Sequence, residues 1–479
     1  MWYKIVLLTV FMLSSGLLYS QNQANKYLKY AKIGRTQSHP DSTSNSAIPL
    51  DDTWEEFSVS EGNLKPVKPI LKELPTAVLE QPTSGWTLRI SEVLDTIPAT
   101  WSKLSTDNVI HIDVGDKSNI TTIQFGFYGI GQMVSIPKEY GSFHPKGISE
   151  KDVNEFWQQL SAFNYNIILS DCYKYKIALG YNDWAILKWV QALAEAIYPT
   201  NVYSEREIFT VFILNQLELQ VRLARVDDKL VTLFSSLQNV YARKYIVINT
   251  YPYYLDKDIP LASQVYTYIS EYSKPSRPLD LRILTPLRLS DGSNDLLITR
   301  FSSVWEQNIN LSVSNSLVKF FNEYPQMDAK VYASAAPTEG FLNVFKTMMT
   351  KSMDQDHITT INNLLRFMHL DFKYKVDQEQ FGKEKPFFCE ENFIYPYNDC
   401  EDRSILLSSL IQNLLNLKVV LLDYEDHMAV AVNLPETIKG DHLILNNEKY
   451  YICDPTYIGA TIGMSIPKYK RKAVRVHLL

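Results

Sequence analysis

The sequence predicts an α+β fold in which one unit, a helix packed on an antiparallel sheet, occurs twice, with β-rich segments before and between the copies. Three observations carry this expectation. Stretches with apolar residues at helical spacing alternate with short β-branched runs. Residues 217–230 (LELQVRLARVDDKL) align without gaps on 415–428 (LNLKVVLLDYEDHM), and 247–258 (VINTYPYYLDKD) on 444–455 (ILNNEKYYICDP). Upstream, Ser204-Glu205-Arg206-Glu207-Ile208-Phe209 matches Cys400-Glu401-Asp402-Arg403-Ser404-Ile405, with a two-residue difference in length.

Residues 1–20 read as a signal peptide. Lys4 supplies a positive charge, 5–19 is apolar but shorter than the ~18 or more residues of a membrane span, and Ser20-Gln21-Asn22-Gln23 gives a small, polar cleavage region near Ser20. This predicts an exported protein, periplasmic or extracellular, with an uncleaved anchor as the alternative. No cysteine near Ser20 supports a lipid anchor, and no later run reaches spanning length, so no transmembrane span is expected after signal removal. Residues 21–82, rich in Ser, Thr, Asp and Pro, read as a flexible leader.

A β-rich domain is expected over 83–147, with alternation at 109–114 and β-branched and aromatic residues at 120–134. Over 148–273 the pattern is that of the first copy, with helices at 153–160, 184–197 and 205–217 and strands at 221–223 and 245–255. Pro275 and Pro278 open a β-rich middle segment, 274–335, and the second copy occupies 336–479, with helices between Glu339 and Phe367.

Chemistry is concentrated in the second copy. Cys400 stands at a helix start behind Asn398 and Asp399, either of which can cap. His427 follows Cys400 at the interval that separates Asp454 from His427, 27 residues, enough for a helix, a turn and returning strands. This is the order a Cys-His-Asp nucleophile system needs: the helix terminus and His427 favour thiolate, Asp454 fixes the imidazole tautomer, and the Cys400 N–H meets a developing oxyanion. Glu401 and Asp402 complement the helix dipole, and Arg403 is expected to pair with an acid. The first copy keeps the apolar frame and places Lys229 at the His427 position, Lys257 at the Asp454 position, and Val202, Tyr203 or Ser204 at the cysteine. A Ser204–Lys229 pair is chemically conceivable there, but a degenerate copy is the simpler reading.

With Cys400 as nucleophile, Cys389 and Cys453 are the candidate disulfide, and Cys172 a buried thiol; sequence alone does not fix the pairing. Cys400, His427, Asp454 and Cys453 include zinc-ligand types, but no CxxC or HxxxH spacing is present, and strand alternation sets Cys453 on the opposite face from Asp454. No metal is expected. No Gly-rich phosphate loop, paired-carboxylate signature or serine elbow occurs, so no cofactor is expected. A net charge of −6 gives no basis for nucleic-acid binding, and the basic run 468–472 reads as a solvated segment.

Phe372-Lys373-Tyr374, Phe381-Gly382, Glu390-Glu391, Asp399-Cys400-Glu401-Asp402-Arg403, His427 and Asp454-Pro455-Thr456-Tyr457 together resemble the transglutaminase-like cysteine superfamily, in particular exported proteins of Bacteroidetes-type bacteria. Tyr181-Asn182-Asp183-Trp184 is similar to the start of the upstream half of such proteins. The resemblance implies a papain-like core with Cys400 as nucleophile, His427 as base and Asp454 as orienter. His369 stands where relatives carry Gln and is a candidate oxyanion or substrate-side residue. The implied activity is cleavage or exchange of protein or peptide amides through a thioester, hydrolysis before transamidation, with a non-catalytic envelope scaffold as the alternative. Oligomeric state is open.

Overall fold

A computed structural model describes residues 28–31, 34–35 and, short interruptions aside, 119–479. The signal peptide and nearly all of the leader, together with the alternating run 109–114, lie outside the described residues. The chain divides into two compact units, whose described parts are 119–281 with 324–327 and the two short N-terminal strands, and 282–323 with 328–479.

The first unit begins with strands β1 (Leu28–Ala31) and β2 (Gly34–Arg35), which fall within the stretch expected as leader. The hairpin β3 (Ile120–Phe127) and β4 (Ile130–Pro137) turns on Tyr128 and Gly129, both at positive φ. This hairpin belongs to the first unit rather than to a β-rich domain of its own, and Phe125 packs edge-on against Trp189. Helices α1 (Glu150–Ser161), α2 (Asn166–Leu179), α3 (Asp183–Ile197) and α4 (Glu205–Gln216) follow. Ser149 and Asp152 close a capping box on α1, and the Asn182 side chain caps α3. Strands β5 (Val221–Val226), β6 (Lys229–Phe234), β7 (Lys244–Ile248), β8 (Tyr251–Leu255) and β9 (Val265–Tyr268) complete a 7-stranded sheet of order β1-β9-β5-β6-β8-β7-β2.

The second unit also opens with a hairpin, β10 (Asp295–Ser302) and β11 (Gln307–Ser314), followed by α5 (Asn315–Asn322) within the segment expected to be β-rich. Helices α6 (Ala329–Ala333), α7 (Glu339–Met353) and α8 (His357–Leu370) lead to β12 (Lys373–Tyr374), α9 (Asp377–Gln380), α10 (Glu391–Ile394) and β13 (Tyr397–Asn398). Then comes α11 (Cys400–Leu410), extended by a π-helical turn over Ile411–Leu415. Strands β14 (Val419–Tyr424), β15 (His427–Asn433), β16 (His442–Leu445), β17 (Glu448–Cys453) and β18 (Arg475–Leu478) form a 5-stranded antiparallel sheet of order β16-β17-β15-β14-β18.

The repeat read from the sequence is present in the sheets. Without its edge strands β1 and β2, the first sheet runs β9-β5-β6-β8-β7, and the second runs β18-β14-β15-β17-β16 in the same sense. Hairpin registers agree as well: Val226 faces Lys229 at the β5–β6 turn as Tyr424 faces His427 at the β14–β15 turn, and Tyr245 faces Tyr254 as His442 faces Tyr451. One core cluster holds Ala224, Val226, Val231, Leu233, Ile246, Tyr253 and Leu255; another holds the aligned residues Leu422, Tyr424, Ala429, Ala431, Leu443, Tyr450 and Ile452. Because strand side chains alternate faces, shared registers preserve one buried face in both copies.

Candidate active site

Cys400 is the first residue of α11, and the sequence places it there through a cap. The Asp399 carboxylate accepts from the N–H groups of Glu401 (2.9 Å) and Asp402 (3.1 Å), and the Asp402 carboxylate accepts from the Asp399 N–H (3.2 Å). This capping box uses the second and third N–H groups of the helix and leaves that of Cys400 outside it. Helix and sheet are joined at the start of β15. Ser404 Oγ donates to the Met428 carbonyl at 3.1 Å, and the Met428 N–H donates to the Cys400 thiol. The Tyr374 side chain also hydrogen-bonds the thiol.

His427 precedes Met428 and opens β15 after a tight turn at Glu425 and Asp426. Its Nε2 lies 2.8 Å from Asp454 Oδ2, in a pair whose side chains are 8% and 2% exposed. An ionised carboxylate only accepts, so Nε2 carries the proton and Nδ1 is the ring nitrogen left for exchange with a thiol. The other oxygen of Asp454 accepts from the Thr456 N–H (3.0 Å), the Thr456 hydroxyl (2.8 Å) and the Tyr457 N–H (3.1 Å). Those donors explain why Asp454-Pro455-Thr456-Tyr457 turns sharply off β17. Burial opposes ionisation of Asp454, but the His427 bond and charge and the Thr456 donors outweigh it and hold the carboxyl below its ordinary value.

All four residues singled out from the sequence thus lie in one neighbourhood. His369 is buried, and its Nε2 lies 3.2 Å from the backbone carbonyl of Asp454. That contact braces Asp454. Burial, aided by Arg403, holds the ring below the ordinary imidazole value, so it donates as a neutral group.

The electrostatics differ from expectation. Burial pushes the Cys400 thiol well above its ordinary value, and Asp399, Glu401 and Asp402 push the same way against the Met428 N–H. The carboxylates that serve the helix terminus therefore oppose the thiolate, and the resting thiol is protonated. Glu401 is itself raised by burial and by Asp399, Asp423, Glu384 and Asp377, which converge from other elements. Arg403 has no carboxylate hydrogen bond here; its guanidinium donates to Asn398 Oδ1 and the Phe372 carbonyl, both at 2.9 Å, and lies over the Tyr374 ring. It fixes β12 and β13 beside the thiol instead of pairing with an acid.

The expected Cys389–Cys453 disulfide is not formed: all four cysteines are free thiols. Cys389 is buried beside Ser409, and Cys453 lies in β17 opposite Val430 with its thiol directed to the Tyr451 carbonyl. Among the described residues, no three His, Cys, Asp or Glu side chains are arranged to hold a metal ion. No helix among them is long and apolar enough to cross a membrane. Two residues of the basic run are paired, Lys468 at the surface with Asp426 and Lys470 with Asp441, each at 3.0 Å.

Two aromatic residues at the site were missed. Tyr374, quoted above only as part of a resemblance, touches the thiol, and Tyr469 stacks on His427 with ring centroids 4.8 Å apart. The spacing of a single chain carries no signal for either. In the first unit, Ser204 Oγ accepts from the Leu230 N–H at 3.1 Å, the bond that Met428 makes to Cys400, so Ser204 is the residue at the cysteine position. Lys229 is exposed, and Lys257 pairs with Glu207 at 2.7 Å. No family model, curated protein or solved structure matches the chain.

Proposed function

We propose that the second unit is a transglutaminase-like thiol enzyme with a papain-like core that acts on amide bonds of proteins or peptides. The observation that carries this reading is the junction of α11 and β15, where the Cys400 thiol meets the Met428 N–H while the adjacent His427 is held by Asp454. Cys400 Sγ attacks the carbonyl carbon as its proton passes to His427 Nδ1. The Cys400 N–H, unused by the cap, receives the developing oxyanion. Collapse of the tetrahedral adduct expels the amine, which takes the proton from His427 and leaves a thioester. Water, deprotonated by His427, then releases the acid and restores the thiol. Hydrolysis is favoured over transfer to an amine because water is abundant and nothing identified builds a second amine site. The expected location outside the cytoplasm rests on residues 1–20 alone.

The protonated resting thiol favours one second reading, a scaffold built on the same frame. Peptide ends and isopeptide bonds in envelope extracts distinguish the two. Cells with the intact protein should show new peptide termini that disappear in Cys400→Ala. Identical termini in both strains favour the scaffold, and isopeptides without new termini would reverse the order of hydrolysis and transfer.

A further inference from the structure

His427 makes contacts of two kinds, and they restrain different motions. The bond to Asp454 fixes where Nε2 points within the ring plane but leaves the plane free to twist about that bond. The twist is opposed by Tyr469, whose ring lies at 12° to the imidazole with centroids 4.8 Å apart. Tyr469 is itself fixed: 5% exposed, it donates to Asp426 Oδ1 at 2.8 Å, and its ring packs on Tyr424 at 4.7 Å. Asp426 adjoins His427, so the phenol is tied to the turn that presents the imidazole.

Tyr469 rides on the connection between Cys453 and Arg475, more than twice as long as the first unit's connection between Leu255 and Val265. The long connection is seated by backbone bonds from the Gly463 N–H to the Ile452 carbonyl and from the Asp441 N–H to the Gly463 carbonyl, both 2.7 Å. Gly440 and Gly463 approach so closely that a Cβ on Gly440 would lie 2.6 Å from the Gly463 Cα. The added chain therefore accompanies the imidazole, and the shorter connection accompanies the exposed Lys229.

We propose that Tyr469 is the positioning residue for His427, setting the imidazole plane so that Nδ1 stays presented to Cys400 while Nε2 holds Asp454. This rests on reading His427 as the proton acceptor for the thiol. The test pairs two measurements on the full chain: the rate of Cys400 alkylation by iodoacetamide, and the ring nitrogen shifts of His427 in protein labelled with ¹⁵N-histidine. Tyr469→Phe keeps the flat face and should stay within about three-fold of wild type, whereas Tyr469→Ala should slow alkylation about ten-fold or more, because small misplacements of a reacting group are costly. The shifts should keep the Nε2–H form in every Tyr469 variant, because Asp454 holds that nitrogen, so that a slowed rate reports the ring plane and not a lost tautomer. If that variant does not fold, Tyr469→Leu, which fills the space without a flat face, carries the same expectations. A wild-type alkylation rate in the Ala or Leu variant, or loss of the Nε2–H form there, overturns the proposal. If His427→Ala alkylates as fast as wild type, the enzyme reading fails, whereas a wild-type rate in Tyr469→Ala beside a slowed His427→Ala overturns the role of Tyr469 alone.

Discussion

At the residue scale, the state of the Cys400 thiol decides what kind of nucleophile it can be. Burial and the first-turn carboxylates keep it protonated, so in the proposed reaction the proton passes to His427 during attack and no standing thiolate is needed. Asp399→Asn retains a capping side chain and removes the nearest opposing charge. It should speed alkylation of Cys400 at pH 8 by a factor of about three or more; an unchanged or slower rate would show that Asp399 does not set the thiol. Asp377 gives a pH prediction. It is 2% exposed with one oxygen unpartnered, and burial followed by Asp399 pushes its carboxyl up to about 7. The folded state therefore binds a proton that the unfolded state has already released, and stability falls as pH rises from the ordinary carboxylate value through about 7. Asp377→Asn should stabilise the protein on the order of 1–2 kcal/mol at pH 8 and have no effect below about pH 4, read by thermal melts at both pH values. Loss of stability at pH 8 would contradict it. The positions of Cys400, His427 and Asp454 were legible because caps and strand spacing are local. The thiol's charge state was not, because the burial that raises it most is set by elements distant in sequence.

At the element scale, the β3–β4 hairpin was legible through the β-branched and aromatic residues of 120–134, which favour strands. Helix α2 was not. Its buried Ile167, Ile168, Leu169 and Cys172 lie together near its start, while Ile177 is exposed, so no stripe repeats along its length. The long β17–β18 connection was also hidden, because its basic run looks like a solvated tail until Asp426 and Asp441 are seen to bind it. Gly463 is the hinge on which that connection sits, at φ 83° with the Gly440 Cα 2.9 Å from where a Cβ would stand. Gly463→Ala should cost about 2 kcal/mol or more by adding backbone strain to a backbone clash. It should also slow Cys400 alkylation, because the connection carrying Tyr469 must lift. A wild-type melting temperature would show that the two glycines are not in contact in solution.

At the scale of the whole molecule, the same helix-and-sheet frame appears in both units, with reactive side chains in one. Seven core residues of the first sheet have apolar counterparts in the second, which made the repeat readable in sequence despite few identities. The two positions share a frame and differ in neighbours: Ser204 receives the Leu230 N–H as Cys400 receives that of Met428, yet lysines stand where the imidazole and carboxylate would be. Ser204→Cys in a Cys400→Ala background should give a thiol that alkylates at least about ten-fold more slowly than native Cys400, for want of a neighbouring proton acceptor. Equal rates would mean that the frame, not His427, activates the thiol. The most direct test of the second unit's chemistry is intact-mass detection of an acyl group on Cys400 after mixing with an activated acyl ester. Wild-type protein should acquire a hydroxylamine-labile acyl group on Cys400 that turns over, Cys400→Ala should acquire none, and His427→Ala and Asp454→Asn should acquire it about 10²-fold more slowly. Acylation at the wild-type rate in His427→Ala, or no acyl adduct on wild-type Cys400, would contradict a thiol enzyme served by His427 and Asp454.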